Sequence, residues 1–128
     1  MPDFIDILVD TEQPLQAFVY ELEQLLHISF EKWSELDADL EGYESSDELY
    51  TIGITTHEYV NERDLRFEEY RYDVGIEAKY RESWEKTSEE WRAFAQHIFD
   101  KLKATGKYRL LMVENLQRKL DQFDANSS

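Results

Sequence analysis

From Tyr70 to Tyr80 the chain alternates without a break. Tyr70, Tyr72, Val74, Ile76, Ala78 and Tyr80 fall on one side, and Glu69, Arg71, Asp73, Glu77 and Lys79 on the other, with Gly75 between them. A period of two marks a strand with one buried and one wet face. The apolar row predicts the core side. The charges of the other row largely alternate in sign, which neutralises them locally and suits a solvated face better than a site for one kind of ion.

The same reasoning yields six further elements. Residues 3–9 (DFIDILV) put Ile5, Ile7 and Val9 on one face and Phe4 and Leu8 on the other, a strand with both faces at least partly covered. Thr11, Glu12 and Pro14 supply helix-start chemistry before Leu15, Phe18, Val19, Leu22, Leu25 and Leu26, spaced by threes and fours on one stripe. Residues 28–35 fit a short strand or an irregular edge, and the pattern does not choose. Tyr50, Ile52 and Ile54 alternate with Thr51, Gly53 and Thr55 in another strand. NERD (61–64) reads as the turn joining it to the 70–80 strand in an antiparallel hairpin.

Thr87-Ser88-Glu89-Glu90 has the capping-box form, with Thr87 as N-cap. The helix it predicts buries Trp91, Phe94, Ala95, Ile98 and Leu102, carries Lys101 and Lys103 near its negative end, and closes at Gly106. KYRLLMV (107–113) is a strand covered on both sides. Asn115 caps a last helix bearing Leu116, Leu120 and Phe123.

The order strand, helix, strand, strand, helix, strand predicts an α+β, ferredoxin-like β-α-β-β-α-β two-layer sandwich with an extra C-terminal helix. It forms a single domain over 1–124, with 125–128 as a disordered tail. Phe4, Leu8, Leu111 and Val113 then share the sheet face away from the helices. That apolar patch calls for a cover, either the last helix or a second copy of the chain.

Composition narrows the functions. The chain has 128 residues, enough for its own core, with 29 acidic against 14 basic residues and a formal charge of −15. Such a field repels nucleic-acid phosphates and anionic lipid, so neither nucleic acid nor membrane is an expected partner, whereas a basic protein is. The alternative is that the acidity serves solubility alone. The absence of cysteine removes disulfides, thiolate metal sites and cysteine nucleophiles and suits a cytoplasmic location. MPDFIDILVD lacks the basic start of a signal peptide, and no apolar run is long enough to cross a bilayer.

Candidate chemistry is sparse. DADLEGYESSDE (37–48) sets Asp37, Asp39, Glu41, Ser45 and Glu48 at ligand positions of a twelve-residue calcium loop, with Gly42 at the sharp turn. Against it stand the polar Glu44, a strand where the exit helix should be, and the lack of a second loop. HEYVNE (57–62) has Asn61 where a zinc protease needs its second histidine. His27 and His97 border their helices' apolar stripes. Trp91 is core, Trp84 is placed to staple its helix, and Trp33 stands either in the core or as an anchor beside the acidic stretch. No motif argues for catalysis and none calls for a cofactor.

FEEYRYDVGIEA and WRAFAQHIFDKLKATGKYRLLMVENLQRKLDQF together resemble small bacterial proteins of polymorphic toxin–immunity systems, in a Tyr-rich strand, a helix, a Gly turn, an apolar strand and a terminal helix. The resemblance implies a non-enzymatic interaction module that neutralises a basic toxin. The expected contact residues are Asp37, Asp39, Glu41, Glu44, Asp47 and Glu48. The competing expectation is a ligand-binding or small enzymatic ferredoxin-like domain with a pocket of converging polar groups.

Overall fold

Alternation of Ile5, Ile7 and Val9 with Phe4, Asp6 and Leu8 gives the first strand, β1 (Phe4–Asp10), and it lies near the middle of a single sheet. The computed structural model describes residues 4–32, 42–56, 59–61, 65–79 and 84–124. In chain order these form β1, α1 (Leu15–Leu26), β2 (Glu31–Lys32), β3 (Gly42–Ser46), β4 (Tyr50–Thr56), a short 3-10 turn (Phe67–Glu69), β5 (Tyr72–Ala78), α2 (Trp84–Ala104), β6 (Arg109–Glu114) and β7 (Arg118–Phe123). The sheet runs β2-β3-β4-β5-β1-β6-β7, and every neighbouring pair is antiparallel.

Both helices press on one face. Ile5, Ile7, Val9, Tyr50, Ile52, Ile54, Tyr72, Val74, Ile76, Leu110 and Met112 meet Leu15, Phe18 and Leu22 of α1 and Trp91, Ala95, Ile98, Phe99 and Leu102 of α2. Burial on this scale is the main stabilising term of the fold. The Trp91 indole is 1% exposed and donates to the Ile76 carbonyl at 3.0 Å, so even the largest core side chain has its polar atom satisfied. α1 ends on His27 in the left-handed conformation and α2 closes into Gly106 at φ 69°, where a glycine carries no penalty.

The expected ferredoxin-like sandwich with a C-terminal helix is not what forms. The four strands read from the alternation are the central ones, but three more extend the sheet to seven. β3 is Gly-Tyr-Glu-Ser-Ser, too polar to announce itself, and it pairs in full with β4. The predicted last helix is β7. Asn115 and Leu116 take φ 53° and 58°, and the Gln117 N–H donates to the Glu114 carbonyl at 3.1 Å. Two successive positive φ values make the type I′ turn that twists with a hairpin. A bulge opposite Met112 and Val113 then lets Leu120 and Phe123 both pack toward the main core. That spacing of three imitates a helix.

Two smaller corrections concern ends. α2 starts at Trp84, so Thr87 and Ser88 are buried within it and do not cap it; the Ser88 hydroxyl donates to the Glu85 carbonyl at 3.0 Å. Tyr70, expected beside Tyr72, is buried on the opposite side of the sheet with Leu8, Leu65, Phe67, Leu111 and Val113. That second cluster takes in Leu8, Leu111 and Val113 of the apolar patch, with Tyr59 and Leu116 packed against it, and leaves Phe4 43% exposed. The segment between β4 and β5 lies there, and the last helix expected as a cover does not form. Roles expected of Trp33, of the Trp84 side chain and of residues 62–64 and 125–128 lie outside the described residues.

Candidate functional site

The second cluster covers only part of the open face, and what remains is a hollow of about 710 Å³. Strand register places its parts. One cross-strand row reads Glu44 (β3), Gly53 (β4), Gly75 (β5) and Asp6 (β1). The row on one side holds Thr51, Glu77 and Phe4; the row on the other holds Thr55, Asp73 and Leu8. Two adjacent glycines thus form a floor without side chains. Glu44 and Asp6 close its ends, Thr51 with Glu77 and Thr55 with Asp73 form its sides, and Phe4, Tyr59 and Leu116 are its apolar wall.

The two glycines differ in what holds them. A Cβ at Gly75 would come within 3.1 Å of Asp6 Oδ1, so this glycine makes room for the carboxyl. A Cβ at Gly53 would meet nothing within 4 Å. Neither has a positive φ. A strand interior gains from a β-branched side chain, so a glycine facing open space is a cost that the packing of the described residues does not require.

Electrostatically the hollow is one-sided. Asp6, Asp73, Glu44 and Glu77 line it, and among the described residues no lysine, arginine or histidine does. Asp6 and Asp73 are each 5% exposed. Burial pushes the Asp73 carboxyl well above the usual range, and the neighbouring Asp6 raises it further. Burial also lifts Asp6, while its hydrogen bond with Asp73 pulls the other way. The Tyr59 hydroxyl donates to Asp73 Oδ2 at 2.9 Å, and burial followed by the two aspartates keeps that phenol protonated. Asp73 Oδ1 accepts no hydrogen bond from any described group. Two adjoining buried carboxyls require a positive charge between them, either a proton or a cation.

The sequence-derived contact residues fare unequally. Glu44 lines the hollow from β3. Asp47 is held in the β3–β4 turn, accepting from the Leu49 and Tyr50 amides at 2.7 and 2.8 Å, which lowers its pKa. Glu48 is exposed at the same turn. Asp37, Asp39 and Glu41 lie outside the described residues. Gly42, the sharp-turn position of the calcium-loop reading, begins a paired strand, and the first three acids of that loop lie outside the described residues.

The alternating charged row is no simple wet face, because Asp73 is buried in it. Sequence reasoning missed the Asp6–Asp73 pair and Tyr59. The available signal was an acid or a glycine between two core residues in three of the central strands: Ile5-Asp6-Ile7, Ile52-Gly53-Ile54 and Val74-Gly75-Ile76.

No protein-family model, curated protein or solved structure matches the chain. No helix among the described residues is long and apolar enough to cross a membrane.

Proposed function

We propose that this protein is a binding module for a basic protein partner, which it engages through the hollowed acidic face of its sheet. The observation that carries the reading is the lining: four carboxyls, two of them buried together, with no cation among the described residues to answer them. Glu31 pairs with Glu44 on the outer strands and continues the acidic row toward the sheet edge, with Glu48 exposed at the adjoining turn. A partner of opposite charge gains attraction and orientation from such a surface, and the gain weakens with salt. Neutralisation of a basic toxin by an immunity-type protein is the role that this face and the C-terminal resemblance both suit. The cysteine-free chain fits work in a reducing cytoplasm.

The test compares two double variants with the same change in net charge. Glu44→Lys/Glu77→Lys alters the hollow; Glu85→Lys/Glu89→Lys alters exposed positions of α2 across the sheet. Association with a labelled oligo-arginine peptide is followed by fluorescence anisotropy at low salt. The sheet-face pair should weaken binding about tenfold more than the helix pair. Equal losses would show that net charge alone attracts the peptide and would overturn the proposal.

The Asp6–Asp73 pair also favours a second reading, a small acid–base site, because a protonated carboxyl beside an ionised one is what such chemistry uses. That reading requires a neutral ligand which still binds after Glu44 and Glu77 become glutamine.

A further inference from the structure

We propose that the hollow receives the planar guanidinium of a single arginine from the partner, laid on the Gly53–Gly75 floor between Glu44 and Asp6. The inference rests on the binding-module reading and names the group that reading leaves open. Three observations converge on it.

The first is shape. Side chains stand up from every sheet face, so two adjacent glycines are what allow a flat group to reach peptide planes. Gly75 is needed by Asp6, but Gly53 opens onto space that no described side chain fills. The second is the position of charge. Glu44 and Asp6 stand in one row at the two ends of that floor, three strand spacings apart, or about 14 Å between backbones. Both line the hollow, Asp6 with its Oδ1 beside Gly75, and carboxylates meeting a guanidinium near its own plane make the paired N–H···O bonds a fork of five donors can supply. The third is an unmet need. Asp73 is 5% exposed and lines the hollow; Tyr59 serves its Oδ2, and apart from the Asp6 carboxyl with which it shares a proton, its Oδ1 meets no donor among the described groups.

Lysine answers these features less well. Its ammonium is a compact, strongly hydrated point charge, whereas guanidinium is flat, more weakly hydrated and stacks on rings such as those of Phe4 and Tyr59 in the wall.

Calorimetric titration with acetyl-arginine methylamide, its lysine counterpart and its citrulline counterpart tests this directly, since citrulline keeps the shape and loses the charge. The arginine compound should bind saturably, at least about tenfold tighter than either of the others. Gly53→Val, whose Cβ would have nothing within 4 Å, should abolish that binding, and Asp6→Asn should weaken it severalfold; a thermal melt of each variant confirms folding. Arginine binding that survives Gly53→Val, or equal affinity for arginine and lysine, would overturn the assignment. So would the absence of arginine binding at millimolar concentration. In that case a differential loss of oligo-arginine binding in the sheet-face double variant would still stand for the broader reading, and its absence would remove both.

Discussion

Asp6 and Asp73 lie diagonally across the β1–β5 pair, since Asp6 faces Gly75 and Asp73 faces Leu8, so two carboxyls share one face of adjacent strands under nearly complete burial. Their pKa values are raised, so the folded chain holds protons the unfolded chain would release. Their contribution is therefore fully present below the ordinary aspartate value of about 4 and is lost as pH rises through the raised values. Asp73→Asn should stabilise the protein at pH 8, by about 1.4 kcal/mol for each unit of the shift it removes, and lose that advantage near pH 4. Urea unfolding at both pH values measures it. An equal effect at the two would contradict a shared-proton pair.

Tyr59 ties the covering segment to that pair. Tyr59→Phe removes the donor to Asp73 Oδ2 and leaves a buried carboxyl with less support. A loss of about 1–3 kcal/mol is expected. Combined with Asp73→Asn it should cost less than the sum of the two single changes, a coupling that a double-mutant cycle reads out.

The β6–β7 hairpin depends on Asn115. Its Oδ1 accepts the Phe4 amide at 3.0 Å, its own amide donates to the Phe4 carbonyl at 2.8 Å, and its φ is 53°. Asn115→Ala loses the side-chain bond and holds a Cβ residue in the left-handed region; Asn115→Gly loses only the bond. Alanine should be the more destabilising by about 1 kcal/mol, measured by thermal melting.

Where packing is one-sided and periodic, the chain states its structure openly. β1, β4, β5, β6 and both helices can be read from spacing because each buries a full row against the same core. β3 could not be, since it lies toward an edge and owes its pairing to β4 more than to its own apolar content. β7 was misread because a bulge restores a helix-like interval to Leu120 and Phe123. The hollow hid for a different reason. An acid facing out from an alternating strand looks the same whether water or Tyr59 and a neighbouring carboxyl lies above it, and only the register brings Asp6 beside Asp73.

Gly53 separates the needs of fold and site. Gly53→Val adds a β-branched side chain whose Cβ would have nothing within 4 Å, so stability should be unchanged or raised by up to about 1 kcal/mol. A clear loss of stability would mean that the space above Gly53 is not open in solution.

The most direct test of the acid-lined face is amide chemical-shift mapping during titration with an oligo-arginine peptide at moderate salt. Shifts that saturate and concentrate on Thr51, Gly53, Thr55, Gly75 and Glu77, with α2 unmoved, are the result expected. Shifts spread over the acidic surfaces of both helices, with the glycine floor silent, would contradict it.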